Sequence, residues 1–184
     1  MSPDIQANLE IPDIWFDFLA RFLPGVSFVT MVWFVFLKKP APTGLEAILG
    51  VIFAGYVAGL ITSPPASRIA RIIESRAGKL PKGEEDRVKF IRRVQAKLSY
   101  SSRQTLLIGK MHAEVVFFVQ LAIFSLLLIV VELYKGISFY PIIAVTIILL
   151  PIFFLEAYEV ASRRFERARG EYEALTLDDA PRKR

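Results

Sequence analysis

The chain of 184 residues contains no cysteine, which excludes a disulfide framework, a thiol nucleophile and any thiolate metal site. Histidine is almost as scarce, with His112 alone. No nucleophile elbow, phosphate loop, dinucleotide glycine pattern or zinc-protease pair occurs, so nucleophilic and general-base catalysis have few candidate residues. His112 and Glu114 are two potential metal ligands, too few for a site, and residues two apart on a helix face different ways. No Lys or Arg precedes Arg21, whereas Asp4, Glu10 and Asp13 do, so the first apolar run lacks the basic leader of a cleavable signal and reads as a retained span. Acids are also missing from the middles of the apolar runs, which leaves mid-depth proton coupling without a group to use. The expectation is a protein with no enzymatic activity, no metal and no cofactor.

What the chain has is hydrocarbon. Its apolar share is 54%, above the ~45–50% usual for soluble domains. The apolar residues gather in four runs, Phe22–Leu37, Leu45–Ile61, Ala113–Val131 and Phe139–Leu155. Each approaches the ~17–25 residues that cross a bilayer core of ~30 Å as a helix. The predicted fold class is therefore all-α: a polytopic membrane protein with four transmembrane helices in two hairpins and amphipathic cytoplasmic helices. Four segments follow: an N-terminal arm and first hairpin at 1–62, a basic helical segment at 63–112, a second hairpin at 113–155, and a C-terminal helix with a disordered tail at 156–184.

Charge gives the expected orientation. Of the 23 Lys and Arg, twelve lie between Arg68 and Lys110 and seven between Arg163 and Arg184, while the short loops carry only Lys38, Lys39 and Lys135. Cationic loops stay on the cytoplasmic side, so the middle and both termini are predicted to be cytoplasmic, in a cell inner membrane.

Within this frame several groups stand out. Gly55 and Gly59, with Gly50, Ala54 and Ala58 beside them, form rows of small residues that let helices approach closely, against either the first span or a second copy of the chain. Asp17 and Arg21 are spaced for a helical ion pair, and together with His112, Glu114, Glu156 and Glu159 they place polar groups at the cytoplasmic mouth. Gln120 and Ser125 are polar positions expected to face a neighbouring helix, and Thr146 lies near the middle of the fourth span.

After Thr62, Ser63 can cap a new helix with Pro64 in its first turn and Gly78 at its end. Its Ala66, Ile69, Ala70, Ile73 and Ala77 share a face apart from Arg68, Arg71 and Arg76, which predicts an interfacial helix contacting anionic headgroups. A further amphipathic helix is expected over Val88, Ile91, Gln95 and Leu98. Beyond Glu156, the stripe Tyr158, Ala161, Phe165, Ala168, Tyr172 and Leu175 repeats at threes and fours and predicts a packing helix, directed at that same segment or at its own copies. The absence of interleaved stacking aromatics argues against nucleic acid as a partner.

The functional expectation is a membrane scaffold or effector anchor that docks a cytoplasmic partner or its own copies. An oligomeric channel or small-solute transporter is the alternative.

Overall fold

The computed structural model describes residues 20–37, 40, 42–78, 87–98, 103–135 and 140–178, and these are almost all helical with no strand among them. The expected N-terminal arm and C-terminal tail lie outside the described residues. The first apolar run forms α1 (Ala20–Phe34). It ends in a π-helical turn at Val32–Phe36. Then come α2 (Leu45–Arg76), α3 (Arg87–Lys97), α4 (Arg103–Lys135) and α5 (Tyr140–Asp178). Among the described residues three helices are long and apolar enough to cross a membrane: α2 and the apolar parts of α4 and α5. The described length of α1 reaches only about 22 Å at 1.5 Å per residue, less than the ~30 Å of hydrocarbon.

Two expected breaks are absent. The 32 residues of α2 pass straight through Pro64 and Pro65, so Ser63 caps no new helix. Prolines there remove the bonds from positions 64 and 65 to the carbonyls of Leu60 and Ile61, an interruption that lateral packing can override. The packing is visible: Ala66, Ala70 and Ala77 are fully enclosed with Val115, Val116 and Val119 of α4 and Ala157, Val160 and Ala161 of α5. In the turn before the prolines, Thr62 Oγ1 donates to the carbonyls of Ala58 and Gly59, at 2.9 and 3.2 Å. The apolar face predicted to lie on lipid is thus buried against protein. Likewise α5 is one helix of 39 residues through Pro151 and Glu156, not a span followed by a separate helix, and it continues to Asp178.

These lengths have a consequence. At ~1.5 Å per residue α2 spans about 48 Å and α5 about 58 Å, well beyond a ~30 Å core, and the excess falls at the same, basic end of the bundle. There α3 closes the structure. Phe90, Ile91 and Val94 pack on Ile108, Phe165 and Ala168, with Leu98 and Tyr172 at the edge. Phe90, fully buried, is the anchor of this cluster, with ring centroids 5.6 Å from Phe165 and 5.3 Å from Tyr172. The face expected from Val88, Ile91, Gln95 and Leu98 is therefore rotated toward Phe90, and Gln95 is only half-buried at its rim.

Gly78 ends α2 as expected, at φ +76°, where L side chains are strained. A Cβ there would also collide with the Phe165 ring. Arg87 of α3 completes the end, donating from Nη1 to the Ser75 carbonyl at 2.8 Å and from Nε and Nη2 to the Gly78 carbonyl.

In the apolar half the usual order of a soluble protein is inverted. Leu45, Phe53, Ile61, Val130, Ile148 and Leu155 face outward, while Gln120, Ser125, Glu132 and Thr146 are buried. Outward hydrocarbon around inward polar groups is the pattern of a membrane-embedded bundle.

Candidate functional site: a charged junction at the basic end

A buried pair of opposite charges sits where the long helices leave the apolar zone. Glu74 of α2 is 4% exposed and Arg164 of α5 is 7% exposed, and Arg164 Nη1 donates to Glu74 Oε1 in a buried ion pair. Arg164 Nε donates to the main-chain carbonyl of Ile108 in α4, at 3.0 Å. That carbonyl and the carboxylate fix the guanidinium plane. His112 of α4 brings Nδ1 to 2.8 Å from the same Glu74 oxygen and 3.2 Å from Arg164 Nη1. With the proton on Nδ1, the imidazole and the guanidinium both donate to one carboxylate oxygen, which satisfies the charge that burial would otherwise make costly.

Beside this triad opens a cavity of about 180 Å³ lined by Arg71, Glu74, Ile91, Arg92, Gln95, His112 and Arg164. All four helices of the basic end contribute: α2, α3, α4 and α5. Its lining carries three guanidinium groups and one carboxylate.

The mouth residues do not converge as a set. His112 joins Glu74, not Glu114, which instead approaches Lys110 at 3.7 Å on its own helix. Glu159 approaches Arg163 at 3.8 Å, and Glu156 is half-buried. Arg21 is half-buried in α1, and Asp17 lies outside the described residues. Among the described residues no group of three His, Cys, Asp or Glu is placed to hold a metal ion.

The small-residue rows separate cleanly. Gly55 and Gly59 face α1 of the same chain: a Cβ on Gly55 would lie 2.6 Å from Val26, and one on Gly59 would collide with the Arg21 carbonyl. Gly25 completes the crossing from the α1 side, where a Cβ would meet the backbone of Gly55 and Gly59. The second row does not join it. A Cβ added to Gly50 would meet nothing within 4 Å, Ala54 is exposed and Ala58 is half-buried. Above the crossing, Gln120 Nε2 donates to the Gly59 carbonyl at 3.0 Å and ties α4 to α2, and the Phe28 and Phe124 rings stack at 4.6 Å.

The stripe on α5 is consumed within the chain. Ala161, Phe165 and Ala168 are buried and Tyr172 packs on Phe90, whereas Tyr158 stays outside the contact and the Leu175 side chain lies outside the described residues. Arg68, Arg71 and Arg76 are all exposed.

Sequence reasoning missed Glu74 and Arg164. The available signal for Glu74 was its place on the small-residue face, four positions from Ala70 and three from Ala77. An acid on such a face needs a buried cation, and Arg164 is adjacent to Phe165 on the α5 stripe. No protein-family model matches the chain, and no curated protein or solved structure shows significant similarity to it.

Proposed function

We propose that the chain is a multi-pass protein of the cell inner membrane that acts, without catalysis, as an anchor: its basic helical end faces the cytoplasm and docks an acidic partner at the membrane surface. The concentration of Lys and Arg at that end supports the orientation. One observation carries the docking reading. α3 buries Phe90, Ile91 and Val94 against the ends of α4 and α5 while its exposed Arg92 lies beside the exposed Arg71 of α2, so the chain's own apolar stripe is closed and its outer side is basic. Such a face steers acidic partners and fixes their register.

The test is co-purification of full-length protein in detergent, comparing wild type with the charge reversal K89E/R93E, each checked for an unchanged melting temperature. Loss of an acidic partner from the reversed protein supports the reading. Recovery of the same partners by both, or of none by wild type, contradicts it.

A second reading, an oligomeric channel or small-solute transporter, draws on Glu132. The residue is 1% exposed, and among the described residues neither carboxyl oxygen has a hydrogen-bond partner and Gln120 Oε1 is similarly unpartnered. Polar groups left unsatisfied inside a bundle are expensive and mark ion or solute paths. Reconstituted liposomes that leak ions, with the leak altered by E132Q, favour this reading. Vesicles that stay tight at high protein density oppose an open pore.

A further inference from the structure

We infer that the cavity bounded by Arg71, Arg92, His112 and Arg164 binds the phosphate group of a small anionic ligand. This goes beyond the docking reading, because it concerns a small-molecule site and stands whether or not a protein partner docks on α3.

Among the described residues of the lining Glu74 is the only carboxylate, and it is already bonded to Arg164 and His112. Against its single negative charge stand the three guanidinium groups of Arg71, Arg92 and Arg164, which leaves two positive charges around one small space. A phosphate monoester carries between one and a half and two negative charges near neutral pH, so the complement is close (about −1.5 to −2).

Geometry points the same way. The three arginines come from α2, α3 and α5, so they surround the cavity instead of lining one side of it. Arg164 is held by the Ile108 carbonyl through Nε and by Glu74 through Nη1, which fixes its guanidinium at the cavity wall before any ligand arrives. Guanidinium forks match phosphate oxygens pairwise, and a pre-oriented one loses little freedom on binding. Gln95 adds an amide able to donate to a third oxygen.

Size limits the ligand. At about 180 Å³ the cavity is smaller than the ~300–1,000 Å³ of sites that enclose drug-sized molecules. It takes a phosphate head, with the remainder of the ligand outside. That head belongs either to a soluble phosphate compound or to a lipid with a terminal phosphate, since the site lies next to the apolar part of the bundle.

The experiment uses full-length protein in nanodiscs. One arm titrates inorganic phosphate into protein in phosphatidylcholine nanodiscs, reading the melting temperature and binding heat. The other replaces part of the phosphatidylcholine with phosphatidic acid and adds no free phosphate. Arg71 and Arg92 are exposed, so R71Q/R92Q tests the site without touching the buried pair. R163Q/R169Q removes equal charge elsewhere on the basic end. Saturable stabilisation in either arm, weakened at least about tenfold in R71Q/R92Q and retained in R163Q/R169Q, supports the site, and the arm that responds identifies the source of the phosphate. No stabilisation in both arms, or equal weakening in the two variants, overturns it.

Discussion

Glu74 and Arg164, ninety positions apart in the chain, form a buried ion pair that joins α2 to α5 beyond the apolar zone. Arg164 and His112 share the same Glu74 carboxylate oxygen. Removing Arg164 leaves that buried carboxylate without its guanidinium partner, which is the expensive kind of change. We expect R164L to destabilise by about 3–5 kcal/mol in detergent unfolding, while the double variant E74L/R164L recovers most of the loss. Equal stability of R164L and wild type would show that the pair is not buried in the native protein.

The glycine crossing makes a sharper distinction. Because α1 backbone fills the space beside Gly55 and Gly59, G55V should separate α1 from α2 and cost more than the ~0.5 kcal/mol typical of open surface changes, whereas G50A, with open space around it inside a helix, should cost nothing and raise stability by up to ~1 kcal/mol. The measurement is melting temperature, paired with crosslinking of introduced cysteines between α1 and α2. A larger loss from G50A would assign the contact face to the other row.

Phe90 reports on the closing helix. F90A should cost about 3–5 kcal/mol of docking energy, because a fully buried ring packed on Phe165 and Tyr172 leaves a cavity. Limited proteolysis should then cut within 87–98 while the apolar parts of α2, α4 and α5 remain protected. Unchanged resistance would mean that α3 is held by something other than this cluster.

Glu132 offers the opposite sign. A buried carboxyl with no partner among the described residues costs stability, so E132L should raise the melting temperature, by the equivalent of about 1–3 kcal/mol. A fall would reveal a ligand or partner for the group.

Much of the architecture was legible because it follows from hydropathy. The runs at Leu45–Ile61, Ala113–Val131 and Phe139–Leu155 became the apolar parts of α2, α4 and α5, and Gly78 stopped α2 where a residue of positive φ was required. Local signals failed where neighbours overrode them. Ser63, Pro64 and Pro65 read as a helix start, yet Ala66 and Ala70 are gripped by α4 and α5 and the helix continues. The junction was hidden for a different reason: Glu74, His112 and Arg164 lie on three helices, and no spacing within one helix brings them together. The α5 stripe was visible as a packing face, but its partner was defined by Phe90, which lies off the face expected over Val88, Ile91, Gln95 and Leu98.

The central claim is a membrane bundle whose overlong helices meet at one basic end. Because the chain has no cysteine, single introduced cysteines test it directly with a membrane-impermeant maleimide. Tyr134, 89% exposed at one end of α4, and Arg93, exposed on α3 at the other, are the positions to compare in intact expressing cells. The account predicts that Y134C reacts in sealed cells and that R93C reacts only after permeabilisation. Equal labelling of both positions in sealed cells would contradict it.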